Sequence, residues 1–437
     1  MLKHAHIITY GCQMNAHDSE QMAGLLQAAG YALTAEPAQA DVILLNTCSI
    51  RARAEHKLYS HLGTLRQFKV NHPGLIIGVC GCVAQQQGEA IFKQSPHVDL
   101  VLGTKAIPRL PALLQALETA PRVLDLGEYA WEEERPQMFR ECRFKAFLTI
   151  MRGCNNFCAY CVVPYTRGRE ESRPAAEIVN EARGLAQDGV LEIILLGQNV
   201  SSYADPAQRV AGFPELLAAV HAVEGLQRLR FVTAHPKDVS PALVEMMAKL
   251  PNVCEHFHLP CQAGADRVLQ LMNRRYTREW YLSRVQLLRE TLPQIALTTD
   301  IIVGFPGERE EDFQQTLTLL EEVRYDGIFA FEFSIRPNAQ AGTFPEQVPE
   351  AVKNERLQRV FDLQNRIGLE KNTTLIGKTL EVLPELINPR FPGTLTGYTR
   401  TNHLVIFPGT ADLLGQFVPV EITAARPFRL SGRMAAK

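Results

Sequence analysis

Three closely spaced cysteines constrain this chain more than any other feature. Cys154, Cys158 and Cys161 stand in the run Gly-Cys-Asn-Asn-Phe-Cys-Ala-Tyr-Cys. A Cys-x3-Cys-x2-Cys loop supplies three thiolates, whereas a [4Fe–4S] cube has four irons, so one iron stays open to a small molecule. A structural zinc site needs four protein ligands and usually pairs two Cys-x2-Cys units, and no second unit follows at the usual distance. The spacing therefore favours an open iron–sulfur cluster over a zinc site or a loop of free thiols.

Composition limits the class of protein. A chain of 437 residues is too long for one core and predicts two or three domains. It contains no apolar run that could cross a bilayer, and Met1–His6 lacks the apolar core of a signal peptide, so we expect a cytoplasmic protein without a membrane partner. Ten cysteines in such a chain indicate metal or redox chemistry rather than disulfides. The net charge of −2 is no nucleic-acid signature, but residues 143–173 and 371–437 are each locally basic. Such patches are often only solvated surface.

The first segment, residues 1–126, alternates strand-like and helical patterns. Buried strands are predicted at Ala5–Tyr10, Val42–Asn46, Leu75–Val79 and Leu100–Leu102. Glu20–Ala29 has the apolar spacing of a helix, which Asp18 and Gln21 are predicted to cap and Gly30 to end. This alternation implies a parallel, doubly wound α/β sheet.

Three further cysteines, Cys12, Cys48 and Cys82, each follow one of these strands by a few residues. The carboxyl ends of parallel strands share one edge of a sheet, where ligands bind, so the three thiols are expected to converge and could hold a second cluster. The alternative is that they are small buried core residues. Cys80 competes as a ligand, although it resembles the end of a strand. The remaining cysteines, Cys142, Cys254 and Cys261, have no partner at ligand spacing, which favours core or pocket-lining roles.

Residues 127–142 form an acidic, irregular linker that Pro136 closes, and residues 143–373 form a second domain. Its strands are predicted at Ala146–Met151, Glu192–Leu196, Leu229–Thr233, His256–Leu259, Leu297–Val303 and Ile328–Ser334. Its helices are predicted at Ala175–Gln187, Pro214–Val223, Pro241–Lys249, Arg278–Thr291 and Glu310–Val323. Six such units predict an open, partial (β/α)6 barrel, with the cysteine loop on its working face.

The last segment, residues 374–437, has short β-like runs broken by Gly, Pro and Asn. The runs are Thr379–Leu383, Gly393–Tyr398, His403–Phe407 and Phe417–Thr423. They predict a small antiparallel β-barrel, a fold that often binds RNA through phosphate attraction and base stacking. Tyr398, Arg400 and Phe407 are candidates for that surface, although each could equally be barrel packing.

The cysteine loop and its surroundings resemble the radical S-adenosylmethionine superfamily. In that superfamily the open iron binds the amino and carboxylate groups of S-adenosylmethionine and passes one electron into its sulfonium, which releases a 5′-deoxyadenosyl radical. Tyr160 stands where an aromatic residue meets the adenine, and glycine-containing turns follow the strands at Leu196–Asn199 and Ile301–Glu308. The resemblance implies these cofactor-binding residues: Tyr160, Gly197, Gln198, Asn199, His258, Gln262, Val303 and Gly304.

Over nearly the whole chain the resemblance narrows to the methylthiotransferases. The motifs that carry it are Thr9–Asn15, Asn46–Arg51, Gly81–Gln85, Val162–Gly168, His258–Gly264 and Ser334–Thr343, with Cys261 at a position that is usually not cysteine. The family implies a flavodoxin-like N-terminal domain, a radical barrel, a C-terminal TRAM domain and two [4Fe–4S] clusters. It favours Cys82 over Cys80 as the third ligand of an auxiliary, sulfur-bearing catalytic cluster with Cys12 and Cys48. The RNA-binding candidates are Arg167, Arg336, Tyr398 and Arg400.

Within the family, the Gln13–Asn15 and Ser49–Arg51 residues favour the bacterial branch that acts on isopentenylated adenosine beside the tRNA anticodon. The implied reaction adds a methylthio group at C2 and uses two S-adenosylmethionine molecules. It implies a flavodoxin-like reductase as electron donor, a sulfur donor, and a monomeric enzyme. Three alternatives stay open: a sister enzyme acting on threonylcarbamoyl-adenosine in tRNA or on a ribosomal-protein aspartate, a non-catalytic iron–sulfur RNA-binding redox sensor, and a metal-stabilised barrel of unrelated activity.

Overall fold

The structure is a computed structural model that describes residues 2–49, 52–131, 138–140 and 142–435. It contains three successive units of secondary structure. None of the helices in these ranges has the length and apolar character that a bilayer crossing requires. Part of the predicted linker, including Pro136, and the motif residues Ile50 and Arg51 lie outside the described residues.

The first unit is a parallel sheet with helices on both faces. Its elements are β1 (Lys3–Thr9), α1 (Gln13–Ala28), β2 (Tyr31–Leu33), β3 (Val42–Thr47), α2 (Ala52–Asn71), β4 (Ile76–Gly81), α3 (Cys82–Gln87), α4 (Ala90–Gln94), β5 (Leu100–Leu102), α5 (Leu110–Ala116) and β6 (Val123–Asp125). The strand order is β2-β1-β3-β4-β5-β6, and every neighbouring pair is parallel. Separate apolar cores lie on the two sides of the sheet. The doubly wound fold is confirmed, and β2 and β6 are two short strands that the sequence did not reveal.

The start of the first helix was predicted wrongly. It begins at Gln13, with Cys12 as its N-cap, so Asp18 and Gln21 lie inside it and form no capping box. The cause is that Asn15, His17 and Asp18 are buried polar residues. In an amphipathic helix pattern, polar positions are predicted to face solvent. Here these three polar side chains face another part of the protein instead. Gly30, with φ of +87°, follows the helix end as expected.

The second unit is the partial barrel. Its elements are β7 (Lys145–Thr149), β8 (Met151–Arg152), α6 (Val163–Thr166), β9 (Glu171–Ser172), α7 (Ala175–Gln187), β10 (Glu192–Leu196), α8 (Phe213–His221), β11 (Arg228–Phe231), α9 (Pro241–Lys249), β12 (His256–His258), α10 (Asp266–Leu271), α11 (Arg278–Thr291), β13 (Ala296–Val303), α12 (Glu310–Val323), β14 (Gly327–Glu332) and α13 (Glu350–Thr373). Parallel triplets β7-β10-β11 and β12-β13-β14 are joined by a bridge between Leu229 and Val253. One large apolar core fills the space between strands and helices. The predicted strand–helix alternation is confirmed; α13, the longest helix here, was not predicted.

The third unit is a closed five-stranded barrel. Its strands are β15 (Thr379–Ile387), β16 (Thr394–Thr399), β17 (Leu404–Pro408), β18 (Val418–Arg426) and β19 (Arg429–Met434), in the order β15-β16-β17-β19-β18. The sequence patterns located the first four strands but not β19, which pairs with both β17 and β18. The predicted small barrel is confirmed.

The first and third units contact opposite ends of the central barrel. Met14 of the first unit packs on Leu196, the last residue of β10. In contrast, the third unit contacts the amino ends of the strands: Lys145, which begins β7, pairs with Glu385 at 2.7 Å, and Arg228, which begins β11, pairs with Glu381 at 2.8 Å. The carboxyl edge of the barrel, its predicted working face, therefore faces the first unit.

Candidate active site

The three-cysteine loop leaves the barrel directly after β7 and β8. The side-chain amide of Asn156 donates to Cys154 Sγ at 3.4 Å, and its backbone N–H donates at 3.5 Å. Burial raises the pKa of Cys161 to about 12, so this thiol is protonated until a metal centre takes its sulfur. The loop thus presents buried sulfurs with hydrogen-bond donors directed at them.

Arg274, which the sequence analysis missed, completes this environment. It is buried, and its Nη1 lies 3.4 Å from Cys158 Sγ and 3.3 Å from the Tyr160 hydroxyl. Its Nη2 donates to the carbonyl of Pro260 at 2.7 Å, which fixes the guanidinium in place. A fixed positive charge therefore lies against the Cys158 sulfur. No motif marks Arg274, because its contact to Cys158 spans more than a hundred residues of chain.

The predicted cofactor residues lie around this loop in two groups. Gln198 Oε1 accepts the Gly153 N–H, and its Nε2 is buried without a partner among the described residues. Gly197 directly precedes it. Tyr160 packs with Phe305, which follows Val303 and Gly304 at the end of β13, and burial raises the pKa of Tyr160. The structure therefore brings the turns after β10 and β13 to the cysteine loop.

The other predicted cofactor residues are placed differently. Asn199 uses its side chain within the fold: it donates to Asp238 at 2.7 Å and accepts from the His235 N–H at 3.0 Å. Its position supports the turn rather than a direct cofactor contact. Gln262 pairs through its backbone with Ile301 and has φ of +70°. His258 lies on the inner face of β12, with Nε2 at 3.4 Å from Asp300 Oδ2.

Cys12, Cys48 and Cys82 follow β1, β3 and β4, which are adjacent strands of the first sheet. The Cys12 and Cys48 thiols are hydrogen-bonded, and this contact, together with the charge of Arg167, lowers the pKa of Cys12 to about 6 against the effect of burial. The structure thus brings the three predicted thiols together. Cys80 lies within β4 in an apolar core, which separates it from this group.

Two glycines make the close approach of these cysteines possible. A Cβ on Gly11 would lie 2.2 Å from Cys48 Cβ, and a Cβ on Gly81 would lie 2.6 Å from the Thr47 carbonyl oxygen. Both glycines have positive φ, +121° and +87°. Side chains at these positions would separate the loops that carry the three thiols.

Arg167 and Arg336, predicted as RNA contacts, instead lie beside these cysteines. Arg167 is buried; it donates to Asp18 at 2.6 Å, and its positive charge acts on Cys82. Arg336 is mostly buried, and its charge interacts with Cys48. The charge of Arg167 pairs within the protein, and an RNA contact at Arg167 stays a prediction.

The C-terminal candidates also make internal contacts. Arg400 pairs with Glu255 of the central barrel at 2.8 Å, and the carbonyl of Tyr398 accepts from Arg228 at 3.0 Å. Phe407 is buried in the core of the small barrel. Phe407 packs within the small barrel and Arg400 docks it on the central barrel, while RNA contacts at Tyr398 and Arg400 stay a prediction. The other lone cysteines, Cys254 and Cys261, are buried as expected, and Cys142 is partly buried.

Both cysteine groups suit iron–sulfur clusters better than a single ion. Within the described ranges, no three His, Cys, Asp or Glu side chains are close enough to share one metal ion. A [4Fe–4S] cube does not require that, because each cysteine ligates a different iron. Charge-bearing donors at the sulfurs (Arg274 on one group and Arg167 on the other) and the unpartnered Gln198 amide fit a cluster with a bound polar cofactor.

Comparison with known proteins agrees with this arrangement. Residues 4–103 match the family described as "Uncharacterized protein family UPF0004", residues 148–320 match the radical SAM superfamily, and residues 373–435 match the TRAM domain. Among solved structures, the radical S-adenosylmethionine methyltransferase TsrM from Kitasatospora setae shares the fold, with a TM-score of 0.57 at 14% identity over 78% of this chain and 77% of that one. The cobalamin-dependent S-adenosylmethionine radical enzyme OxsB also shares it, with a TM-score of 0.54 at 13% identity over 83% of this chain and 56% of that one. The fold and the three-cysteine loop define a radical S-adenosylmethionine enzyme.

Relatives of nearly equal length identify the family within the class of radical S-adenosylmethionine enzymes. The tRNA-2-methylthio-N(6)-dimethylallyladenosine synthase of Moorella thermoacetica is 49% identical over 98% of this chain and 97% of its own. Those of Desulforamulus reducens and Carboxydothermus hydrogenoformans are 48% and 45% identical, over 98% of this chain and 94% and 99% of theirs. The chain belongs to the tRNA-2-methylthio-N(6)-dimethylallyladenosine synthase family.

Proposed function

We propose that this protein adds a methylthio group to C2 of N6-isopentenyladenosine beside the anticodon of tRNA. The observation that carries the proposal is the junction at Arg167. This residue follows the radical-type cysteine loop by a few positions, it pairs with Asp18 of the first unit at 2.6 Å, and its positive charge acts on Cys82 of the other cysteine group. Two cysteine groups on segments that a buried ion pair joins suit a reaction that both activates a carbon and delivers sulfur to it.

In this proposal each cysteine group holds one [4Fe–4S] cluster. Cys154, Cys158 and Cys161 would hold the cluster that reduces S-adenosylmethionine, and Cys12, Cys48 and Cys82 the one that carries the sulfur to be methylated by a second S-adenosylmethionine. The side chains around them have defined tasks: Arg274 holds positive charge against Cys158, Gln198 offers its amide to the cofactor, and Arg167 holds positive charge near Cys82. An aromatic C–H at C2 is not acidic enough for a side-chain base, which is why radical chemistry is required.

The partners follow from the same reaction. tRNA is the substrate, and the cytoplasm is the proposed location. We propose a flavodoxin-like reductase as electron donor, a separate sulfur donor and a monomeric enzyme.

For the RNA surface of the small barrel we propose the exposed residues Phe391 and Phe428 at its hairpin ends, with Arg429, whose guanidinium lies 5.3 Å from the Phe391 ring. The domain boundaries 1–126, 127–142, 143–373 and 374–437 remain part of the proposal.

The test uses two cysteine variants of the anaerobically reconstituted protein with isopentenylated tRNA. Cys158→Ala is expected to abolish 5′-deoxyadenosine formation, and Cys48→Ala to retain it while methylthio-adenosine disappears from the nucleoside digest. Cys254→Ala, which changes a buried cysteine outside both groups, is the matched control. If Cys158→Ala still cleaves the cofactor, the assignment fails; if the digest contains a methylthiolated threonylcarbamoyl-adenosine, the sister activity is correct.

A further inference from the structure

The inner face of the central barrel is covered on one side only. On the β7–β10–β11 side, Met14 and Cys12 of the first unit pack with Ile194 and Leu196 of β10. On the β12–β13–β14 side the inward residues remain accessible. Along β13, Thr298, Asp300 and Ile302 are partly exposed, while the alternate residues face the helices and are buried. An open half of the barrel interior therefore lies next to the Cys12 region.

Two phenylalanines on β14 dominate this open face. Phe329 and Phe331 are 52% and 37% exposed, whereas Ile328 and Ala330, which alternate with them, are buried in the main core. In the sheet register Phe329 lies beside Asp300 and Phe331 beside Ile302. Alternation places both rings on the inner, accessible face of the strand. Large apolar side chains exposed inside a cavity indicate a ligand surface rather than core.

The polar neighbours of Phe329 are arranged around it. The His258 ring meets the Phe329 ring edge-on with centroids 5.9 Å apart. His258 Nδ1 lies 3.0 Å from the Thr298 hydroxyl, and its Nε2 lies 3.4 Å from Asp300 Oδ2. The Asp300 side chain is 30% exposed, so its carboxylate can also accept a hydrogen bond from a ligand. The face thus combines two aromatic rings with one oriented carboxylate.

The same strand leads to the sulfur-bearing group. β14 ends at Glu332, and Arg336, four residues further, interacts with Cys48. The amide of Gln86, just after the Cys82 turn, donates to the carbonyl of Pro337 at 3.1 Å. A ligand lying on Phe329 and Phe331 would therefore be beside the segment that contacts the Cys48 and Cys82 loops.

We infer that Phe329 and Phe331 form the platform for the isopentenylated base, with Asp300 accepting its remaining N6–H. This inference rests on the proposed function. The adenine ring would stack on one phenyl ring, and the five-carbon apolar tail would cover the other, where it is removed from water. An adenine without the tail loses this apolar contact, so the platform determines which adenosine the enzyme accepts.

The test measures binding and discrimination. Fluorescence anisotropy gives the Kd of the reconstituted protein for an anticodon stem–loop with isopentenyladenosine and for the same RNA with plain adenosine. For Phe329→Ala/Phe331→Ala we expect the Kd of the isopentenylated RNA to rise at least about tenfold and the preference over plain RNA to fall towards one. Asp300→Asn is expected to raise the Kd of both RNAs, but by a smaller factor than the double variant raises it. Leu369→Ala, which removes an apolar side chain of similar exposure on α13, is the control and is expected to bind both RNAs like the wild type.

Two results would overturn the inference. One is a double variant that binds and discriminates like Leu369→Ala while the wild type makes methylthio-adenosine, in which case the proposed function stands and the platform is elsewhere. The other is a raised KM for S-adenosylmethionine in RNA-free cofactor cleavage with RNA binding unchanged, which would assign the rings to the cofactor. If the wild type discriminates between the RNAs through these rings but makes no methylthio product, the platform stands and the proposed reaction fails.

Discussion

Arg167 donates a hydrogen bond from Nη2 to Oδ2 of Asp18 at 2.6 Å, and both side chains are buried. Asp18 belongs to the helix that begins after Cys12, and Arg167 follows the loop that ends at Cys161. The pair therefore joins the segments that carry the two cysteine groups. The charge of the same guanidinium also acts on Cys82, so this buried pair helps to position the two segments relative to each other.

Arg167→Met is expected to uncouple cleavage of S-adenosylmethionine from formation of the methylthio product. Removing one partner of a buried pair leaves Asp18 uncompensated and costs about 3–5 kcal/mol of stability. Cofactor cleavage at the other cysteine group should persist, whereas loss of the Cys82 contact should lower the methylthio-adenosine yield about 10–100-fold. The ratio of 5′-deoxyadenosine to methylthio product, with thermal unfolding of the same sample, measures both effects.

The double variant Asp18→Asn/Arg167→Met separates structure from chemistry. It removes both charges, so its melting temperature should recover part of the loss seen in Arg167→Met, while the product ratio should stay abnormal. A normal product ratio in the double variant would reduce the role of Arg167 to domain docking.

Arg274→Met is expected to change the cluster held by the three-cysteine loop. A charge-assisted contact to Cys158 Sγ, worth about 1.5–3 kcal/mol, is lost. Loss of positive charge disfavours the reduced cluster, so its one-electron potential should fall by roughly 60 mV or more. A potentiometric titration followed by electron paramagnetic resonance measures the shift. Arg275→Met, at the neighbouring position, is the control, and equal potentials in the two variants would contradict the assigned contact.

Glu308 predicts a pH dependence of stability. Burial raises the pKa of its carboxyl to about 7, although it accepts from the Gly304 N–H at 2.6 Å and pairs with Arg356 at 2.8 Å. The folded pKa lies above the unfolded value of about 4.3, so this stabilising contribution is full below pH 4 and is lost as the pH rises through 7. From pH 5 to pH 8 the wild type should lose about 2–3 kcal/mol relative to Glu308→Gln. Thermal unfolding of both proteins across this range at constant ionic strength tests it, and parallel curves would refute it.

Different residues of the small barrel should bind RNA and dock the barrel on the central unit. Phe391→Ala/Arg429→Ala removes an exposed stacking ring and its cationic neighbour, so the Kd for tRNA should rise about 5–50-fold, with a shallower salt dependence. Arg400→Ala breaks the pair with Glu255 and should lower the melting temperature while changing that Kd by less than about threefold. The reverse pattern would restore Arg400 as an RNA contact.

Much of the fold could be predicted because the spacing of hydrophobic residues that marks a helix or a strand is visible within a short stretch of sequence. The helices Ala175–Gln187, Pro241–Lys249 and Arg278–Thr291 have the predicted ends. The convergence of Cys12, Cys48 and Cys82 followed from one rule, that parallel strands end at one edge. These features depend on patterns within short windows of the chain.

What could not be predicted depends on contacts between units. A basic or amphipathic side chain is usually solvated, so the sequence does not reveal the internal contacts of Arg167, Tyr398 and Arg400. Their partners, Asp18, Lys145 and Glu255, lie more than a hundred residues away along the chain. The contact of Arg274 with Cys158 could not be predicted for the same reason. The exposure of Phe329 and Phe331 could not be predicted either, because it depends on the open half of the barrel and not on the pattern of their own strand.

Iron and acid-labile sulfide counting after anaerobic reconstitution tests the central claim, that two cysteine groups hold two clusters, most directly. The wild type should contain about eight irons per chain, and Cys12→Ala/Cys48→Ala/Cys82→Ala and Cys154→Ala/Cys158→Ala/Cys161→Ala about four each. Four irons in the wild type, or eight in either triple variant, would contradict the account.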